Sequence, residues 1–166
     1  MKKIKRFRIV KKLLLFFIVC LFLSGLTAIP IEWQLSQVLK YVPADGSLHV
    51  WLQKVLAAYG QMKQQAPFLV YGYDWLAFAH FVLAILFIGA YRDPLKNIWV
   101  IEFGMIACVL VIPFAFVAGH FRSIPVGWRF IDCSFGVAGF IVLWICYRQL
   151  QYIFFSSKTK YYYESF

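Results

Sequence analysis

Residues 119–139 read GHFRSIPVGWRFIDCSFGVAG. The stretch sets one histidine, two arginines, one aspartate and four glycines between two apolar runs, Ile98–Ala118 and Phe130–Tyr147. Each run approaches the roughly 20 residues that a helix needs to cross a bilayer. A short polar segment between two such runs predicts two membrane helices joined by a turn.

Working outward, two more apolar runs complete the set. Tyr73–Tyr91 lies before Ile98–Ala118, separated from it by the turn sequence Arg92-Asp93-Pro94-Leu95-Lys96-Asn97. Tyr71, Tyr73 and Trp75 mark one end of this span and Tyr91 the other, because amphipathic rings prefer the membrane interface. Leu13–Ile29 is the first run, and Pro30 stops it. Its basic flank resembles a signal peptide, but Leu26 is too large for the −3 position of a cleavage site, so it reads as an uncleaved helix. Four spans result, at about 13–29, 73–91, 98–118 and 130–147.

Composition agrees with that class. Apolar residues are 63 % of the 166, charged residues 14 %, and the mean hydropathy is +0.73. Globular chains carry about a quarter charged residues. The expected fold is therefore all-α, a single integral membrane domain built as a four-helix bundle. The net charge of +10 would suit nucleic acid, but its distribution argues against that partner. Seven of the 17 basic residues precede residue 13, where they form a topology signal against the anionic inner leaflet. With four spans, twelve basic residues fall inside and five outside. Both tails, 1–12 and 148–166, are then cytoplasmic in an inner membrane, and Lys158–Phe166 reads as weakly ordered.

The connection 30–72 then faces outward. Leu48, Trp51, Leu52, Val55, Leu56 and Tyr59 repeat at the spacing of one helix face, which predicts an amphipathic helix. Asp45-Gly46-Ser47 supplies a turn and a cap, and Gly60 a stop. A second, shorter helix is expected around Ile31–Leu39. Pro113 should kink the third span.

Polar residues within spans are costly and need a partner, a cavity or an interface. Asp74, His80, His120, Arg122, Arg129 and Asp132 all fall toward the outer half, and together they are the candidate pocket. Arg129 and Asp132 stand three apart on one helix and are expected to pair. Gly136 and Gly139 share their face, and small residues there let a neighbouring helix approach. Glu102, near the inner end, is expected beside Arg92 or Lys96. His80 and His120 are the weak metal or haem candidates; no H-x-x-x-H or H-E-x-x-H spacing supports them. Cys20, Cys108, Cys133 and Cys146 fall in apolar runs with no C-x-x-C pair, so they read as small buried residues. No G-x-S-x-G, phosphate loop or pair of catalytic carboxylates is present.

The segments Tyr73–Phe81 (YDWLAFAHF) and Trp128–Gly139 (WRFIDCSFGVAG) resemble the VanZ-like family at Asp74, His80, Phe81, Asp132, Gly136 and Gly139. Trp75 stands where that family has lysine, and Ser134 or Phe135 where it has asparagine. More broadly the chain resembles the small four-helix inner-membrane proteins of bacteria. That resemblance implies a location and no chemistry. The expected function is a non-catalytic envelope protein, an accessory subunit or a binder of lipid-like molecules. Its expected partners are membrane lipids and a further membrane protein, and no cofactor is called for. The alternative is an intramembrane enzyme or redox protein using His80 and His120.

Overall fold

A computed structural model describes the backbone of residues 2–164 and the side chains of residues 3–154. Six helices follow one another: α1 (Lys2–Thr27), α2 (Ile31–Leu39), α3 (Ser47–Gln65), α4 (Pro67–Arg92), α5 (Ile98–Phe121) and α6 (Val126–Glu164). No strand occurs among the described residues. Four helices are long and apolar enough to cross a membrane: α1, α4, α5 and α6 through Phe154. The fold class is thus an all-helical membrane protein with four candidate spans. At 1.5 Å per residue the 26 residues of α1 reach about 39 Å, more than the roughly 30 Å of bilayer hydrocarbon.

Every span is longer than its apolar run. The helix of α1 continues back through the basic residues to Lys2. Here α4 opens at Pro67 rather than at Tyr73, because proline is preorganised for a first helical turn and has no amide hydrogen to lose there. The expected ten-residue loop after α5 shrinks to residues 122–125. Gly60 does not stop α3, which runs on to Gln65; one exposed glycine costs a helix only about 1 kcal/mol. The cap of α3 is Gly46, with no side-chain hydrogen bond. Pro113 lies inside α5, where the carbonyl of Val109 loses its helical partner. The side chains of 155–166 lie outside the described residues, and so does the expectation for the Lys158–Phe166 tail.

The chain forms two compact units, each described by itself. The terminal unit comprises Met1–Val19 and Ile85–Phe166; the central unit is Cys20–Ala84. In the terminal unit, α5 packs along α6. Glycine makes this approach possible. A Cβ at Gly136 would lie 2.6 Å from the backbone oxygen of Cys108. One at Gly139 would meet Cys108 Sγ at 2.9 Å, and one at Gly104 would meet Leu143 and Phe87 at 2.6 Å. Val10, Leu14, Ile101, Leu143, Cys146 and Leu150 are fully buried in this core. Cys146 Sγ faces the carbonyl of Val10 at 3.9 Å, and the rings of Phe17 and Phe87 sit 4.7 Å apart. Of the other cysteines, Cys133 is buried, Cys108 half-buried and Cys20 exposed, so the buried reading fails for Cys20.

The turn between α4 and α5 is closed by Asn97. Its Nδ2 donates to the carbonyls of Gly89 (3.1 Å) and Asp93 (3.0 Å), which also accept from the backbone N–H groups of Asp93 and Asn97 at 3.1 Å each. Lys96 pairs with Asp93 at 3.7 Å, not with Glu102.

In the central unit, Gly25 lets α1 meet α4. A Cβ there would lie 2.9 Å from both the Ala77 carbonyl and the His80 Cβ. The α2 and α3 helices pack together and are tied by Lys63 Nζ to Glu32 Oε2 at 2.7 Å. That carboxylate raises the Lys63 pKa through a hydrogen bond and its charge. Leu52 and Tyr59 are the buried residues of α3, and Tyr59 meets Tyr73 edge-on at 5.6 Å.

Candidate functional site

The turn that joins α5 to α6 is built by the backbone. Ile124 N–H donates to Gly119 O at 2.9 Å and Ser123 N–H to His120 O at 3.2 Å. Those two bonds close a helix end when the residue after the cap is left-handed. Ser123 takes that conformation, with φ 54°. The motif fixes how His120, Arg122 and Arg129 leave the backbone.

Arg129 then folds back over the turn. Its Nε donates to the carbonyl of Ile124 at 2.9 Å, and its stem lies against Gly119, where a Cβ would come within 2.8–3.0 Å. The expected Arg129–Asp132 pair does not form. The nearer acceptor takes the guanidinium, and Asp132 makes no ion pair among the described residues. Asp132 is half-buried, while His120 and Arg122 are exposed. The His120 ring meets Phe121 edge-on at 5.7 Å, and Phe121 is itself 80 % exposed. His120, Arg122, Arg129 and Asp132 thus share one end of the terminal unit without a hydrogen bond or ion pair between them.

Asp74 and His80 belong to the central unit. Asp74 is exposed and lines a shallow hollow of about 270 Å³ with Tyr71, Trp75 and Phe78. Its aromatic neighbours are held edge to face, Tyr71 on Trp75 at 5.9 Å and Trp75 on Phe78 at 5.6 Å. His80 Nδ1 lies 2.8 Å from the carbonyl of Leu76, one turn back on its own helix. A carbonyl only accepts, so the contact requires a hydrogen on Nδ1. Six residues turn a helix by about 240°, so Asp74 and His80 leave α4 on different faces.

No polar or charged side chain is fully buried among the described residues. No three His, Cys, Asp or Glu side chains among them gather as a metal set. The polar groups of the spans are therefore neither sealed in the core nor neutralised by one another.

One arrangement escaped the sequence reading. In the terminal unit the basic half of α1 docks on the end of α6. Arg6 Nη1 donates to Gln149 Oε1 at 2.6 Å, and its guanidinium carbon lies 4.7 Å from the centre of the Tyr152 ring. The Lys11 ammonium lies 5.2 Å from the Tyr91 ring and 5.4 Å from that of Phe7. No pattern links residues 143 apart, but the helical spacing within 4–15 was there to be read.

No protein-family model, curated protein or solved structure matches the chain.

Proposed function

We propose that this chain is a non-catalytic, multi-pass protein of a bacterial inner membrane with both termini in the cytoplasm. It acts by binding a lipid-like molecule, or as the accessory subunit of another membrane protein, at its outward end. The observation that carries this reading is the unspent polarity of the α5–α6 turn. His120, Arg122 and Asp132 have no ion pair among the described residues, and they stand beside the exposed rings of Phe121 and Phe130. A polar group left without a partner beside lipid is costly, and the cost rises with its depth in the membrane. A ligand with a polar head and an apolar body would satisfy both sets.

The test is purification in mild detergent, with native mass spectrometry, metal analysis and an absorbance spectrum on one sample. A retained lipid or protein mass is expected. Asp132→Asn should reduce its occupancy severalfold without moving the melting temperature, since no cation is stranded by the change. A Soret band or one equivalent of metal would replace this reading with the redox one through His80 and His120.

A further inference from the structure

We propose that the basic end of the terminal unit is a binding groove for an anionic phospholipid. Arg8, Lys11 and Lys12 hold the phosphate, and Ile4, Phe7 and Leu15 seat the acyl chain. This inference concerns the end of the unit opposite the α5–α6 turn and does not rest on the function proposed for that turn.

The argument starts with spacing. Residues 4, 7, 8, 11, 12 and 15 fall at i, i+3, i+4, i+7, i+8 and i+11, which is one face of a helix. In this chain that face reads Ile, Phe, Arg, Lys, Lys, Leu. The sequence alone makes it a basic flank to a membrane span. The structure makes it one wall of a groove of about 600 Å³, closed on the other side by Tyr91 and Ile153. No acidic residue lines the groove.

A basic tail that serves only as a topology signal needs no such shape. Three features here go further. Arg8, Lys11 and Lys12 have no ion-pair partner among the described residues. Lys11 is held over two rings, at 5.2 and 5.4 Å, so its charge is directed by cation–π contact and not left to wander. Arg6, on a neighbouring face, is already committed to Gln149 and Tyr152, which anchors the helix and leaves the open face to a ligand. Ile4 remains 67 % exposed, an apolar side chain in a cationic setting.

The occupant follows from charge and apolarity together. A free phosphate would use the cations and leave the apolar wall wet. A nucleic acid would meet the same cations but gain little from isoleucine and leucine. A neutral lipid would use the wall and leave three charges unmet. An anionic phospholipid satisfies both, and basic pockets between membrane helices on the cytoplasmic side are suited to such head groups.

The full-length protein in neutral maltoside detergent would be titrated with dioleoyl phosphatidylglycerol and, separately, dioleoyl phosphatidylcholine, with bound lipid counted by native mass spectrometry. One phosphatidylglycerol per chain is expected, at least tenfold tighter than phosphatidylcholine at low salt. Each basic group near an anionic head group is worth about fivefold. The triple variant Arg8→Gln, Lys11→Gln, Lys12→Gln should therefore lose the preference, with helicity by circular dichroism unchanged. Ile4→Ser, a single change at an exposed position, should weaken both lipids severalfold and leave the ratio intact. Lys40→Gln with Lys54→Gln, in the central unit, should change neither. Equal binding of the two lipids by the wild type would overturn the proposal, as would a preference that survives the triple variant. Displacement of the lipid by inorganic phosphate or a single-stranded oligonucleotide at equal concentration would overturn it in favour of a plain cationic surface.

Discussion

The two ends of the terminal unit use their cations in opposite ways. At the end formed by α1 and the far part of α6, Arg6 bonds to Gln149, 143 residues away. At the end formed by the α5–α6 turn, Arg129 bonds to Ile124, five residues away. The first bond holds two helices together; the second caps a turn. The reason is what each end leaves short of a partner. A four-residue turn has a carbonyl within reach of a guanidinium and takes it. The start of α1 has no turn to cap, so its cations meet ring faces, an amide and open groove. One end is a tertiary junction, and the other is local structure with polar groups to spare.

Between them lies the contact that should hold most of the energy, and it offers the largest effect. Gly136→Ala would drive a Cβ to 2.6 Å from the backbone oxygen of Cys108. A carbonyl cannot swing aside as a side-chain tip can, so α5 and α6 must separate. Overpacking of this kind costs about 1–3 kcal/mol, and the upper part of that range is expected here. The matching control is Gly127→Ala on the same helix. Nothing lies within 4 Å of that position, so the change should be neutral or gain up to about 1 kcal/mol from helix propensity. Thermal unfolding in detergent would measure both. Equal effects at the two positions would mean that α6 does not meet α5 through its glycine face.

The contrast between the ends is sharpened by two arginines. Arg6→Met should cost about 1–2 kcal/mol, since a part-buried hydrogen bond from a charged group is worth about 1.5–3 kcal/mol and methionine keeps some of the packing. A double-mutant cycle with Gln149→Ala should give a coupling of about 1 kcal/mol. Arg129→Met should cost less than about 1 kcal/mol, and a cycle with Asp132→Asn should give none. A coupling between Arg129 and Asp132 as large as that between Arg6 and Gln149 would erase the distinction.

These pairs also show what the sequence carried. The four apolar runs and the α2 helix at Ile31–Leu39 were legible because hydropathy and helical period are properties of neighbours along the chain. Span ends were less so. Tyr71 and Tyr73 were read as marking the end of a span, but a ring at an interface is no end to a helix, and α4 begins six residues before Tyr73. The Arg129–Asp132 spacing permits a pair without compelling one, and the Ile124 carbonyl competes for the same donor. The stripe from Ile4 to Leu15 was visible as a pattern. Its depth was not, because Tyr91 and Ile153 reach it only through the packing of helices distant in sequence.

The smallest effect concerns the turn itself. Ser123 sits at φ 54°, where a Cβ crowds the following carbonyl and glycine does not. The Ile124–Gly119 and Ser123–His120 bonds over-determine that conformation, so the residue is held there against its preference. Ser123→Gly should relieve about 1–2 kcal/mol of strain, less the roughly 0.4–1 kcal/mol of entropy that glycine restores to the unfolded chain, for a net gain of a few tenths to about 1 kcal/mol. The gain should appear as slower amide exchange at Ile124 and as a slightly higher melting temperature, with Arg6–Gln149 coupling untouched. A loss of stability instead would mean that the serine hydroxyl is held by a bond of its own in the membrane. The turn would then be a second junction, and not the local cap that sets it apart from the basic end.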